Sequence, residues 1–191
     1  FRERILPAEE PALLAVQLNL AQALGKVGDY RSARDLEVRV MDACERTLPD
    51  GDAFRAHARS NLAATKRALG DVRGARTLYE GTLALLERSR PADDPEIRQV
   101  RANLAVMLSD LGDLHAARRL LESVLETCER TLAPDDGMLL ATKTNLAGLL
   151  KELGDVRGAR AVFEEVVEAC ERTLPPDHPD VQRARENLAV A

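Results

Sequence analysis

Apolar residues recur along this 191-residue chain at intervals of three and four, which is the spacing of one face of an α-helix. Two such runs follow each other between Glu96 and Leu132 and are separated by Gly112-Asp113. Their apolar members are Val100, Leu104, Met107, Leu108 and Leu111, then Leu114, Ala117, Leu120, Leu121, Val124, Leu125, Cys128 and Leu132. No segment alternates apolar and polar residues as a half-buried strand does. The pattern therefore predicts an all-α fold.

The same pattern returns every 42 residues without slippage. The landmarks are Asn-Leu pairs beginning at Asn19, Asn61, Asn103, Asn145 and Asn187, and Gly-Asp pairs beginning at Gly28, Gly70, Gly112 and Gly154. A fixed period of this size is typical of solenoids, in which stacked neighbours share one continuous core. We predict a single domain over 1–191, with repeats at about 10–51, 52–93, 94–135 and 136–177 and a partial repeat at 178–191.

Each repeat is predicted to be a hairpin of two antiparallel helices, which in the third repeat extend over about 96–111 and 114–132. Gly112 permits the left-handed backbone conformation that ends the first helix, and Asp113 can cap the second. A Pro/Asp-rich loop then leads to the next repeat. Pro95 and Pro179 suit the first turn of a helix, where a missing N–H group has no consequence.

The repeat resembles the tetratricopeptide repeat, in particular the 42-residue variety of kinesin light chains and many bacterial regulatory proteins. The match consists of Asn-Leu-Ala, Gly-Asp, Ala and then Glu-Arg-Thr-Leu-Pro-Pro-Asp-His-Pro-Asp-Val, and its best segment is Cys170 to Val181. The resemblance implies a right-handed superhelical solenoid in which first helices line a concave face that binds peptides or helices. The sequence departs from kinesin light chains in having one asparagine per repeat where they often have two, so their cargo recognition is not inferred.

The family's groove asparagine, which bonds the ligand backbone, corresponds to one residue in each repeat here. We predict that these asparagines and polar neighbours on the same helix face bind the partner: Asn19, Asn61, Asn103, Asn145 and Asn187, with Gln22, Ser60, Arg67, Gln99, Thr144 and Lys151. An amide suits this role because it both donates and accepts hydrogen bonds. Two interpretations stay open: the asparagines contact a ligand, or they bond neighbouring repeats and set the superhelical twist.

Several other residue groups have simpler structural interpretations. The basic row Arg59, Arg101, Lys143 and Arg185 is expected to pair with glutamates of neighbouring helices. Cys44, Cys128 and Cys170 share one repeat position with Leu86, which cannot replace a nucleophile or metal ligand, so they are predicted to be core residues. The histidines His57, His115 and His178 lack metal-ligand spacing, and His178 is expected to start a helix. We therefore predict no catalytic site, metal or cofactor.

Composition argues against some classes of partner and indicates a cellular setting. The formal net charge is −5 and aromatic residues make up 3 %, which argues against a nucleic-acid binder. No apolar run approaches the roughly 20 residues that span a bilayer. An odd number of widely spaced cysteines favours a reducing, cytoplasmic setting. The residue usage points to a bacterial gene, and the missing initiator Met to a piece of a longer protein.

Together these features predict a non-catalytic scaffold that binds a peptide or helix of a partner protein in the concave groove. The alternative is an intramolecular regulatory arm or a self-association module of a larger multidomain protein. In that case, apolar faces near Leu6 and at Leu188 would drive association through the truncated ends.

Overall fold

The computed structural model describes residues 10–191, which form nine α-helices joined by short loops and contain no strand. The helices are α1 (Pro11–Lys26), α2 (Tyr30–Thr47), α3 (Ala53–Ala68), α4 (Val72–Ser89), α5 (Pro95–Asp110), α6 (Leu114–Thr131), α7 (Gly137–Glu152), α8 (Val156–Thr173) and α9 (Pro179–Ala189). First helices of the four full repeats have 16 residues and second helices have 18. The all-α prediction is confirmed, and the predicted bounds of α5 and α6 agree to within one residue.

The helices pack in chain order within two compact units, one ending at Val100 and the other comprising Arg101–Ala191. In the first unit α1 packs on α2, α2 on α3 and α3 on α4. In the second unit α6 packs on α7, α7 on α8 and α8 on α9. A second helix such as α2 or α8 thus lies between the first helix of its own repeat and that of the next, as in a solenoid.

The turn inside each hairpin has the predicted glycine in the left-handed region. The φ angles are 86° at Gly28, 85° at Gly70, 82° at Gly112 and 83° at Gly154. In the third repeat the Asp113 N–H donates to the Leu108 carbonyl at 2.9 Å, and the Asp113 carboxylate accepts from the Ala116 N–H at 3.2 Å. One Gly-Asp pair therefore ends the first helix and caps the second.

Small residues allow the helices of each hairpin to approach closely. Ala33, Ala75, Ala117 and Ala159 share one repeat position, and all four are completely buried. The cysteine position is buried too, whether it holds Cys44, Leu86, Cys128 or Cys170. The prediction that the cysteines are core residues is confirmed, because the three thiols are free and packed among apolar side chains.

One ionisable side chain lies in this core. Glu37 on α2 is only 2 % exposed, and its Oε2 atom has no hydrogen-bond partner. The three later repeats have Tyr79, Leu121 and Phe163 at the same position, and all are buried. Burial raises the pKa of the Glu37 carboxyl, and a hydrogen bond with Thr65 of α3 opposes the shift only in part. The α2–α3 interface therefore contains a carboxyl group whose charged form is destabilised by burial.

The terminal apolar surfaces differ from the expectation. Leu188 is half-buried, because α9 packs on α8 and this side chain joins the cluster of Val166, Cys170 and Val181. Leu6 lies outside the described residues. Exposed aliphatic side chains near the ends of the described chain include Val16 and Leu20 of α1 and Val190, which follows α9.

Candidate functional site

A groove lies between α7 and α9 in the second unit. It encloses about 430 Å³, within the range of about 300–1,000 Å³ that is usual for ligand pockets. On α7, Gly137, Ala141 and Asn145 follow at intervals of four, so they lie on one helix face. The glycine and alanine leave space beside the helix, and the amide marks the far end of that space.

The floor of the groove is apolar. Val166 and Cys170 of α8 lie there with Leu140 of α7 and Ala184 of α9. Val166, Cys170 and Ala184 belong to the core cluster on which α9 packs. The floor is thus formed largely by α8, which packs on both α7 and α9.

Some polar side chains of the groove make hydrogen bonds or ion pairs within the chain, and others do not. The Thr144 hydroxyl donates to the Leu140 carbonyl at 2.8 Å, and Arg183 is paired with Asp180. Among the residues that the structure describes, the side-chain amides of Asn145 and Asn187 make no hydrogen bond. Both amides line the groove, so their donors and acceptors are available to a ligand.

In the first unit the corresponding face is bridged by side chains of α1 and α3. Gln22 and His57 are hydrogen-bonded through their Nε2 atoms at 3.2 Å. Asn19 is exposed, whereas Asn61 is half-buried and its Nδ2 atom lacks a hydrogen-bond partner. Ser60 is half-buried, and its carbonyl accepts a hydrogen bond from the Tyr79 hydroxyl at 3.2 Å.

The remaining predicted binding residues are less closely grouped. Arg67 and Gln99 are exposed, and Asn103 is half-buried. Lys151 is exposed, and its Nζ atom contacts the Val190 carbonyl at the end of α9. The structure therefore brings together Thr144, Asn145 and Asn187 in one groove and joins Gln22 to α3. A continuous ladder over all five asparagines stays a prediction.

Ion pairing is confirmed for three members of the basic row. Arg59 binds Glu45 at 2.6 Å, and Arg185 binds Glu171 at 2.6 Å. Lys143 binds Glu165 at 2.6 Å and lies 3.7 Å from Glu129. In each case, the cation joins a first helix to a glutamate of an adjoining second helix.

The histidine and cysteine residues described next have structural roles. The His178 Nδ1 atom accepts from the Asp180 N–H at 3.2 Å, so His178 caps α9 as predicted. Burial raises the pKa of the Cys44 and Cys170 thiols, which makes them poor nucleophiles. Over residues 10–191, no three His, Cys, Asp or Glu side chains are arranged to hold a metal ion. None of the described helices has the length and apolar character needed to cross a bilayer.

Sequence reasoning singled out Thr144, Asn145 and Asn187 and missed the other residues that line the groove. Asp180 and Arg183 line the groove from α9, and Val166, Cys170 and Thr173 from α8. Asp180, Arg183 and Asn187 recur at intervals of three and four, so the same face rule applied to α9 would have found them. The α8 residues line the groove because of the way the three helices pack, and no local sequence pattern predicts this.

Comparison with known proteins agrees with this architecture. Family models described as tetratricopeptide repeat match residues 54–132, 13–52 and 139–180. A solved structure of a kinesin light chain-like protein from Podosopora anserina, with nearly identical TPR-like repeats, has 27 % identity over 95 % of this chain and 86 % of that chain, with a TM-score of 0.81. The solved structure of BtubC (BKLC) from P. vanneervenii has 20 % identity over 94 % of this chain and 71 % of that chain, also with a TM-score of 0.81. A search of curated proteins gives no significant match.

Proposed function

Because the chain belongs to the tetratricopeptide repeat proteins, which generally mediate protein–protein interaction as non-catalytic scaffolds, we propose that it binds an extended segment of a partner protein in the α7–α9 groove. The proposal is supported mainly by Asn145 and Asn187, whose side-chain amides make no hydrogen bond within the described part of the chain. Both line a groove that has an apolar floor.

The chemistry of the groove favours recognition of a peptide backbone. An extended chain presents N–H and C=O groups on alternate sides, and an amide can pair with either. Asn145 and Asn187 stand on opposite walls, α7 and α9, so a chain lying between them meets an amide on each side. On binding, backbone N–H and C=O groups of the ligand would replace hydrogen bonds to water by hydrogen bonds to these amides, so little hydrogen-bonding free energy would be lost.

The floor and the charges restrict the side chains of the ligand. Leu140, Val166 and Ala184 offer an apolar surface that suits an aliphatic anchor. Arg183 is paired with Asp180, and Asp135 adds a further carboxylate to the lining, so the groove does not favour an acidic peptide. We expect a neutral segment with one aliphatic residue seated between α7 and α9.

Selection from a random peptide display library tests this proposal. Peptides enriched on the chain would be measured by calorimetric titration against the wild type and the pair Asn145→Ala with Asn187→Ala. We expect the pair to weaken binding about tenfold or more, because each lost amide removes hydrogen bonds of about 1 kcal/mol.

Glu186→Ala provides the matched control. Glu186 is an exposed polar residue next to Asn187 on α9 and does not line the groove. It should leave the affinity unchanged while circular dichroism shows all variants folded. Equal affinity of the wild type and the double variant, or enriched peptides that lose binding only with Glu186→Ala, would exclude the groove as the binding site.

A further inference from the structure

The second unit contains another cleft, between α6 and α8, which encloses about 350 Å³. Leu139 and Lys143 of α7 line this cleft, whereas Ala141 and Asn145 of the same helix line the α7–α9 groove. Residues two apart on a helix point in different directions, so the two hollows open on different faces of α7. Of the described residues, Leu140 alone lines both.

In the first unit, the equivalent place in the repeat holds an arginine of the chain itself. The side chain of Arg55 on α3 is only 10 % exposed. Its Nη1 atom donates to the Leu48 carbonyl at 3.1 Å and lies 2.7 Å from the Asp50 carboxylate. Leu48 and Asp50 stand at the repeat positions of Leu132 and Pro134, which both line the α6–α8 cleft. The first unit therefore shows a guanidinium group bound at this place in the repeat.

The second unit keeps the carbonyl acceptor but lacks the arginine. Leu139 stands at the Arg55 position, and a leucine side chain is shorter and has no guanidinium group. Leu132 follows α6 with φ of −117° and ψ of 159°, and Leu48 follows α2 with φ of −117° and ψ of 146°, so both carbonyls leave their helices in a similar direction. Within the described part of the chain, the Leu132 carbonyl accepts no hydrogen bond. Both the space and the acceptor for a guanidinium group are therefore present.

The charges around the cleft favour a cation. The lining contains the carboxylates of Glu129, Glu165 and Glu168 and the cations of Lys143 and Arg172, so there is one carboxylate more than there are cations. Lys143 lies 2.6 Å from Glu165 and 3.7 Å from Glu129. Glu168 and Arg172 are exposed, and neither makes an ion pair with another described residue. The Glu168 carboxylate is therefore available to a ligand.

The two units place their carboxylates differently. In the first unit, Asp50 supplies the carboxylate for the internal arginine, and Gly81 and Ala84 stand at the repeat positions of Glu165 and Glu168. In the second unit a proline replaces that aspartate, and α8 supplies carboxylates instead. Acidic side chains on α8 thus occur in the unit whose cleft has no arginine of its own.

We propose that the α6–α8 cleft binds an arginine side chain of a partner protein. The guanidinium group donates to the Leu132 carbonyl and pairs with the Glu168 carboxylate, while its aliphatic stem lies along Leu139 and Pro134. Arginine suits the cleft better than lysine does, because a planar guanidinium group offers several donors in a fixed arrangement and is more weakly hydrated than an ammonium group.

Titration of the whole chain with acetyl-arginine methylamide tests this proposal. The methyl resonances of Leu132, Leu139 and Ala169 would be followed by nuclear magnetic resonance. The arginine probe should shift these resonances saturably. Acetyl-citrulline methylamide has nearly the same shape without the charge and should bind at least about tenfold more weakly, because charge-assisted hydrogen bonds are roughly twice as strong as neutral ones. The lysine analogue should also bind more weakly than the arginine probe.

A variant that fills the cleft provides the sharpest comparison. Leu139→Arg with Pro134→Asp copies the Arg55–Asp50 pair of the first unit, so the new side chain should occupy the cleft and abolish binding of the arginine probe. Circular dichroism would establish that this variant is folded.

Three single substitutions test the site without filling it. Glu168→Gln should weaken binding of the arginine probe about two- to fivefold, as expected for the loss of a solvent-exposed ion pair. Glu164→Gln is the matched control, because Glu164 is exposed on the same helix, pairs with Arg160 and does not line the cleft, and it should leave the affinity unchanged. Arg172→Ala removes a charge of the same sign as the probe and should not reduce the affinity.

Several results would overturn the proposal. These are equal affinity for the arginine and citrulline probes, no saturable shift in the wild type, and arginine binding that persists in a folded filled-cleft variant. If the filled-cleft variant does not fold, the comparison of Glu168→Gln with Glu164→Gln decides. An equal effect of these two substitutions on the affinity would contradict the proposal.

Discussion

The left-handed glycine that ends α5 gives a stability prediction whose sign can be worked out from the structure. Gly112 has φ of 82°, and a Cβ atom built there meets no other atom within 4 Å. A substitution at Gly112 therefore introduces backbone strain without a steric clash. For an alanine, the left-handed conformation costs about 1–2 kcal/mol. Valine is worse, because β-branched residues tolerate positive φ poorly.

Gly148 in α7 is the matched control. A Cβ atom there also meets nothing within 4 Å, but the residue lies inside a helix. Gly148→Ala should stabilise the fold by about 0.5–1 kcal/mol, because alanine loses less backbone entropy on folding than glycine does. The same change, glycine to alanine, is thus predicted to have opposite signs at two open positions of one unit.

Thermal unfolding followed by circular dichroism measures both effects. At about 2–4 °C per kcal/mol for a chain of this size, Gly112→Ala should lower the Tm by roughly 2–8 °C. Gly112→Val should lower it further, and Gly148→Ala should raise it by about 1–4 °C. An unchanged Tm in both Gly112 variants, or a shift of the same sign at Gly112 and Gly148, would refute the assignment of Gly112 as helix terminator.

Three further predictions follow from buried and capping groups. Glu37→Leu, which copies the buried Leu121 of the third repeat, should raise the free energy of unfolding at neutral pH by about 1–3 kcal/mol in urea titrations. Because the pKa of Glu37 is raised in the folded protein, the stability difference between Glu37→Leu and the wild type should shrink when the pH falls below the unfolded-state pKa of about 4.3. The difference should grow as the pH rises through the folded-state pKa. A difference that does not depend on pH would contradict this prediction. The Cys44 and Cys170 thiols should resist alkylation at neutral pH until the chain is unfolded by urea, and rapid labelling of the native protein in mass spectra would disprove their burial. The pKa of Asp71 is lowered by hydrogen bonds from Lys66 and the Gly74 N–H, so its contribution to stability should disappear as the pH falls through that pKa, and Asp71→Asn should show a smaller loss in acid unfolding curves than the wild type does.

Features set by neighbouring residues could be predicted from the sequence. The glycine that ends a first helix and the aspartate that caps the next helix act within a few residues, so the local pattern was sufficient at Gly112 and Asp113. The same holds for His178, which caps α9 through a bond two residues away. The period of 42 residues then extended each local assignment to all repeats.

Features set by packing between helices could not be predicted as well. Glu37 lies in an amphipathic helix where a glutamate is usually solvated, and its burial depends on α3. Comparison across the period with Tyr79, Leu121 and Phe163 was the one available signal. The floor of the α7–α9 groove combines three helices, so its depth depends on their spacing. Asn145 and Asn187, which the sequence pattern places on the predicted binding face, both line this groove, and their role in binding stays a prediction.

Nuclear magnetic resonance of the side-chain amides would test the proposed binding site most directly. An isotope-labelled chain would be titrated with a peptide selected from the display library, and the Asn145 and Asn187 side-chain resonances would be assigned by single alanine substitutions. The account predicts that both resonances shift in step with backbone signals of α7 and α9, while Glu164 on α8, which is exposed and paired with Arg160, stays unchanged. Saturable binding that shifts the Arg160 and Glu164 signals and leaves both asparagine amides in place would contradict it.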